Sequence, residues 1–145
     1  MRGVALVCLL GLTLAGCAAP PPPSPSPPPS PGPGPGPGPG GIVRTEVQRA
    51  ASSLPGHDAV VMRVELAAGA RAGRHTHPGD EIGYVLEGEG QLLVDGAAPR
   101  LLRAGDAFVV PAGVVHDAHN PGRAAMRLVG VFVVDKNKPL ATPAR

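Results

Sequence analysis

Two imidazoles stand one residue apart at His75 and His77, a carboxylate follows at Glu81, and a third imidazole lies at His116. Side chains alternate between faces in extended backbone, so residues 75 and 77 project together. Glu81 has the same parity, although the Pro78-Gly79-Asp80 turn intervenes. His116 sits in the apolar run Val114-Val115-His116-Asp117-Ala118, where a buried imidazole needs a hydrogen-bonding partner or a metal. Three imidazoles and one carboxylate suit one divalent first-row metal (Fe, Mn, Zn, Ni or Cu), with positions left open for water or substrate. Such a metal polarises a carbonyl, acidifies a bound water or, as iron or copper, activates dioxygen. The ligand types do not choose among these chemistries. Neutral imidazoles are the ligating form, so binding should weaken as the pH falls through the histidine range.

Neighbouring polar residues are candidates for supporting roles. Tyr84, Asp117 and His119 are candidate second-layer residues, Tyr84 by presenting its hydroxyl to substrate if it points inward, with core packing as the default for it. Asp80 and Asp117 adjoin ligands and could accept from imidazole N–H groups, with surface placement as the alternative. His119 has the opposite parity to His116 and is expected to face away from it. His57, beside Pro55-Gly56, reads as solvated, and Asn120, before Pro121-Gly122, reads as a turn residue. Arg63 could bind an anion only if its face of the strand lines a cavity.

These residues need strands to hold them. In Asp58 to Ala67, Val60, Met62, Val64 and Leu66 alternate with Val61, Arg63 and Glu65, a period of two. Further short apolar or alternating runs cover Glu81 to Glu87, Gln91 to Val94, Ala107 to Val110, Val114 to Ala118 and Ala125 to Val134. Turn chemistry separates them, as at Ala68-Gly69, Gly88-Glu89-Gly90, Asp95-Gly96 and Pro111-Ala112-Gly113. Regularly spaced short strands without a long helical pattern predict an all-β sandwich or barrel. Ile42 to Leu54 also fits one helical face, but an opening strand followed by a loop through Pro55-Gly56 fits better. With one tyrosine, two phenylalanines and no tryptophan, the core must be built from valine, leucine and alanine.

The spacing of these residues carries a resemblance. Gly69, His75, His77, Glu81 and Gly88 resemble the first motif of the cupin family, with every position filled. Gly105, Pro111, Gly113, His116 and Asn120 resemble the second, and the 16 residues between Gly88 and Gly105 suit the loop of small bacterial cupins. The resemblance implies a single-domain cupin β-barrel of the double-stranded β-helix or jelly-roll type. It also implies a metal inside, bound by His75, His77, Glu81 and His116. Cupins are often dimers, and an exposed strand edge in the N-terminal part of the domain would be a place for pairing.

The N-terminal 41 residues are of another kind. Met1-Arg2-Gly3 leads into the apolar run Val4 to Ala15, which suits a signal-peptide core and is too short to span a bilayer. Leu14-Ala15-Gly16-Cys17 resembles the lipobox of bacterial lipoproteins, predicting a signal over residues 1–16 and a lipid on Cys17. The alternative is an ordinary secretory signal cut near Ala19. Cys8 lies in the removed segment, so Cys17 alone remains and no internal disulfide can form. Thirteen of the 20 prolines fall between Pro20 and Pro39, marking residues 17–41 as a lipidated cysteine plus a Pro/Gly-rich spacer. The expected location is the bacterial cell envelope, with a membrane anchor facing the periplasm or the cell exterior.

For residues 42–145 two functions fit. One is a metal-dependent enzyme, oxygenase- or isomerase-like, acting on a small organic substrate. The other is a non-enzymatic module binding a small ligand or metal. A net charge of +2 without a basic cluster gives no reason to expect nucleic acid as a partner.

Overall fold

The computed structural model describes residues 41–145. The expected signal segment, the lipidation candidate Cys17 and the expected spacer up to residue 40 lie outside the described residues.

Ten strands follow one another with no helix among the described residues. They are β1 (Ile42–Ala51), β2 (His57–Leu66), β3 (His75–Thr76), β4 (Gly79–Glu87), β5 (Glu89–Val94), β6 (Arg100–Arg103), β7 (Ala107–Val110), β8 (His116–His119), β9 (Met126–Asp135) and β10 (Thr142–Pro143). One antiparallel sheet runs β1-β2-β9-β4-β7 and the other β10-β3-β8-β5-β6. The expected all-β jelly-roll arrangement is therefore what the chain adopts. The N-terminal stretch forms strand β1 followed by the turn through Pro55-Gly56, not a helix.

Alternation does most of the work. Along β9, Met126, Leu128, Gly130, Phe132 and Val134 are buried, and their neighbours are only half-buried. Val60, Met62 and Leu66 of β2 turn inward in the same way. The main core draws on both sheets, joining Leu66, Val85, Phe108, Val110, Met126 and Leu128 to Leu92 and Leu102. A smaller cluster of Val60, Met62, Phe132 and Val134 lies beside it, with Leu140 packed against it. Fully burying a valine, leucine, methionine or phenylalanine side chain stabilises by roughly 1.5–3 kcal/mol, which is why so aromatic-poor a chain can still close a core.

Two features shape the interior. Gly83 of β4 lies opposite Phe108 of β7 and Gly130 of β9. A Cβ on Gly83 would stand 2.1 Å from the Phe108 ring, so the glycine makes room for the phenyl. Asn120 is fully buried and stitches three segments together. Its amide donates to the carbonyls of Leu66, Ala67 and Ala124 at 3.0, 3.1 and 2.8 Å, and its Oδ1 accepts from the Gly122 N–H at 2.9 Å. The turn role expected of Asn120 is thus combined with a core-anchoring one.

Three strands escape the pattern in the sequence. β3 and β10 have two residues each, and β6 is the short run RLLR without alternation. β8 begins at His116 and not at Val114, because the Val114 N–H is used in a turn to the Pro111 carbonyl.

Candidate metal centre

His75 of β3 lies directly opposite His116 of β8 in the antiparallel register. Opposed residues put their side chains on the same face. His77 follows after one residue, and Glu81 enters from β4, where Glu81, Gly83 and Val85 face inward. Two sheets thus contribute to one point. His77, Glu81 and His116 are buried and His75 is half-buried.

All three imidazoles are oriented by backbone carbonyls. Nδ1 of His75 lies 2.6 Å from the Gly73 carbonyl, that of His77 2.6 Å from Leu140, and that of His116 3.0 Å from Val114. A carbonyl can only accept, so each Nδ1 carries the proton and each neutral ring presents its Nε2 lone pair. The ligating nitrogens lie within 4.8 Å of one another, with His75 Nε2 and His77 Nε2 3.1 Å apart. Glu81 Oε2 lies 2.9 Å from His116 Nε2 and 3.3 Å from His77 Nε2. Adjacent ligands about 2.1 Å from one first-row ion would be ~3.0–3.4 Å apart, so these spacings fit a shared cation.

The carboxylate gives the sharper test of fit. Glu81 Oε2 is buried without a hydrogen-bond donor, although two imidazole nitrogens crowd it. Lone pairs facing lone pairs in a buried site call for positive charge between them. In the metal-free protein a proton supplies it. Burial pushes the Glu81 carboxyl up, but His116 and then His77 outweigh burial and hold it down to about 2. Burial likewise lowers His116, and its contact with Glu81 more than reverses this, leaving it raised. His75 is lowered, chiefly by burial. A divalent cation would satisfy the same oxygen and all three nitrogens at once, so the donor set fits a metal.

The four residues line a cavity of about 490 Å³ whose wall is largely apolar, with Val64, Phe108, Leu128 and Phe132 among its members. Two arginines, Arg44 and Arg74, border it. Neither was singled out in the sequence. Arg44 shares parity with Ile42 in β1, and both line the cavity, but only the pairing with β2 tells which face of that strand is inward. The last residues matter as well, since Leu140, Ala141 and Pro143 line the cavity and β10 pairs with β3 beside His75.

The supporting candidates fare differently. Tyr84 is 49 % exposed and points outward, because Glu81, Gly83 and Val85 take the inward positions of β4; neither substrate contact nor core packing applies to it. His119 is half-buried beside Arg71 and does not line the cavity. Asp117 is buried, not on the surface. It accepts from the Gly73 N–H at 2.9 Å and from Arg71 at 3.1 Å, and so fixes the residue whose carbonyl orients His75. Asp80 accepts from the Ala112 N–H and touches no imidazole through any hydrogen bond. Arg63 is exposed, so its face of β2 is not the cavity.

Residues 62–134 match the family model described as Cupin domain. Germin-like protein 3-1 of Oryza sativa subsp. japonica is 40% identical over 89 residues, which cover 54% of this chain and 39% of that protein. Oxalate oxidase 1 of Hordeum vulgare is 35% identical over 78 residues, covering 48% of this chain and 39% of that protein. The chain thus spans about two fifths of the length of these curated relatives. An uncharacterized conserved protein with a double-stranded beta-helix domain from Klebsiella pneumoniae superposes with a TM-score of 0.61 at 26% identity, over 73% of this chain and 89% of that one.

Proposed function

The chain belongs to the cupin-domain family, and from that premise we propose that it binds one divalent transition metal and acts through it on a small organic molecule. The ligands are His75, His77, Glu81 and His116. The observation that carries this reading is the buried Glu81 Oε2 facing the Nε2 atoms of His116 and His77, among three imidazoles whose Nδ1 atoms are already committed to carbonyls. The metal, when bound, supplies Lewis acidity and, if iron or copper, redox chemistry. The chain does the rest. Its carbonyls hold the imidazole tautomers, Asp117 fixes Gly73, and the apolar wall limits water around a bound molecule.

Besides the four ligands, the cavity is bordered by no carboxylate, imidazole, thiol or phenol among the described residues. Arginine cannot serve as a base at ordinary pH. Conversion would therefore be metal-centred and oxygenase- or isomerase-like, and the similarity to an oxalate oxidase supports the enzymatic side. The same lack of an acid or base supports the second reading, a module that binds a small ligand without converting it. Elemental analysis of protein purified without added metal, beside a His75→Ala/His77→Ala variant, tests the metal claim. About one equivalent in the parent and loss in the variant are expected; less than about a tenth of an equivalent in the reloaded parent sinks it.

The N-terminal segment supports export and anchoring through lipidated Cys17. The protein should partition into detergent and Cys17→Ser should release it from membranes; a variant that stays bound refutes the anchor. A homodimer draws support from β1 as a sheet edge and from Ile82, Tyr84 and Val109 exposed on the outer face of its sheet.

A further inference from the structure

Arg44 stands opposite Val64 in the β1–β2 register, and both border the cavity that holds the histidines. Its Nη2 donates to the Ala72 carbonyl at 3.1 Å. Arg74, the other arginine of the cavity, is already paired with Asp95. Among the described residues Arg44 has no carboxylate within ion-pair distance. Arg44 is exposed where it borders the cavity, and with one backbone carbonyl as its acceptor and no carboxylate beside it, its guanidinium keeps donors free for an incoming anion. Arg44 and the four proposed ligands line the same cavity, so its positive charge faces the space in front of the proposed metal centre.

We propose that Arg44 is the anion-binding residue of this cavity, pairing with a carboxylate of the incoming molecule, so that the ligand is an organic acid and not a neutral compound. The inference rests on the metal reading above. Three neutral imidazoles and one carboxylate leave a divalent ion with net positive charge, and Arg44 adds to it. A cavity with low-dielectric walls and one sign of charge concentrates ions of the other sign. The guanidinium fork matches a carboxylate in a bidentate pair, which no neutral ligand can replace. The apolar wall then receives the hydrocarbon part of the acid. Tethering by Ala72 holds the arginine in place before the ligand arrives, which lowers the ordering cost of binding.

The test uses the full chain loaded with Zn(II), with calorimetric titration of acetate, pentanoate and succinate and with pentanamide as the neutral isostere. Parent protein, Arg44→Gln and Arg44→Lys are compared, with metal content measured for each. At least one acid should bind the parent about tenfold more tightly than it binds Arg44→Gln, with Arg44→Lys in between and metal content equal. Pentanamide should bind all three equally weakly, and acid binding should fall between about 50 and 500 mM salt. Acid affinities within twofold in parent and Arg44→Gln overturn the proposal, and so does the failure of every acid to bind the parent. A parent without metal refutes the metal reading instead. The same acid titrations on the metal-free chain then decide Arg44 by the same ratio.

Discussion

Removal of residues 139–145 should weaken metal binding while leaving both large sheets folded. These residues reach the site in three ways. The Leu140 carbonyl accepts from His77 Nδ1 at 2.6 Å, the Ala144 N–H donates to the Arg74 carbonyl at 2.9 Å, and Arg74 donates to the Arg145 carbonyl at 2.8 Å. Through β10 they also lie against Thr76 and His75. Three bonds at about 1 kcal/mol net each make ~3 kcal/mol of local stabilisation around β3. Truncation leaves His77 packed on Phe132, with ring centroids 4.7 Å apart, so the imidazole keeps its place but loses the acceptor that fixes its tautomer. Loss of such an acceptor typically costs 10–100-fold in metal affinity, and the lower half of that range, about 10–30-fold, is expected here. Competition with a chromophoric chelator measures it, and hydrogen exchange at Thr76 reports the loosened strand. Affinity unchanged within twofold would refute the orienting role. Loss of protection throughout β2, β4 and β9 would refute its local character.

Gly83→Ala should destabilise the domain by about 1–3 kcal/mol in urea, because its Cβ would stand 2.1 Å from a Phe108 ring that is only 5 % exposed; a change below ~0.5 kcal/mol refutes the packing argument. Asn120→Ala should cost about 3 kcal/mol by freeing carbonyls of Leu66, Ala67 and Ala124 and the N–H of Gly122, and a loss under ~1 kcal/mol would show that water replaces the side chain. The pH dependence follows from opposite signs at one contact. Glu81 is depressed from 4.5 to about 2, so its share of metal-free stability is present above 4.5 and lost as the pH falls toward 2. His116 is raised above 6.5, so its share is present below 6.5 and lost as the pH rises through its raised value. Metal takes the neutral imidazole, so the increase in Tm that Zn(II) gives should grow as the pH rises above 6.5. An increment constant from about pH 5 to 8 would rule this out.

The candidate site was legible because its spacing survives folding. His75 and His77 keep their shared face, and Glu81 keeps its parity because Gly79 and Asp80, expected in a turn, are instead the first residues of the extended strand β4. The glycines at 69, 88, 105 and 113 have φ between 74° and 92°, as expected of positions where the chain reverses. Other readings failed for reasons that spacing cannot carry. Tyr84 faced out because Glu81 faced in, and a sequence alone does not say which parity is the interior. Asp117 has the outward parity but is buried, since the loop bearing Arg71 and Gly73 covers it. β3 and β10 have no pattern to read, because two residues hold no period.

The sequence by itself determined the all-β class, most of the turn positions and the set of imidazoles and carboxylate, since each rests on local periodicity or on the φ that a turn demands. Tertiary structure alone decided what surrounds that set. The pairing of His75 with His116 across β3 and β8 joins residues 41 apart in sequence. The Leu140 carbonyl on His77 spans 63 residues, and Arg44 at the cavity wall is set by its register against Val64. Contacts of that reach are set by which strands pair, in which register, and where the chain returns, and no local pattern records which distant atoms those choices bring together.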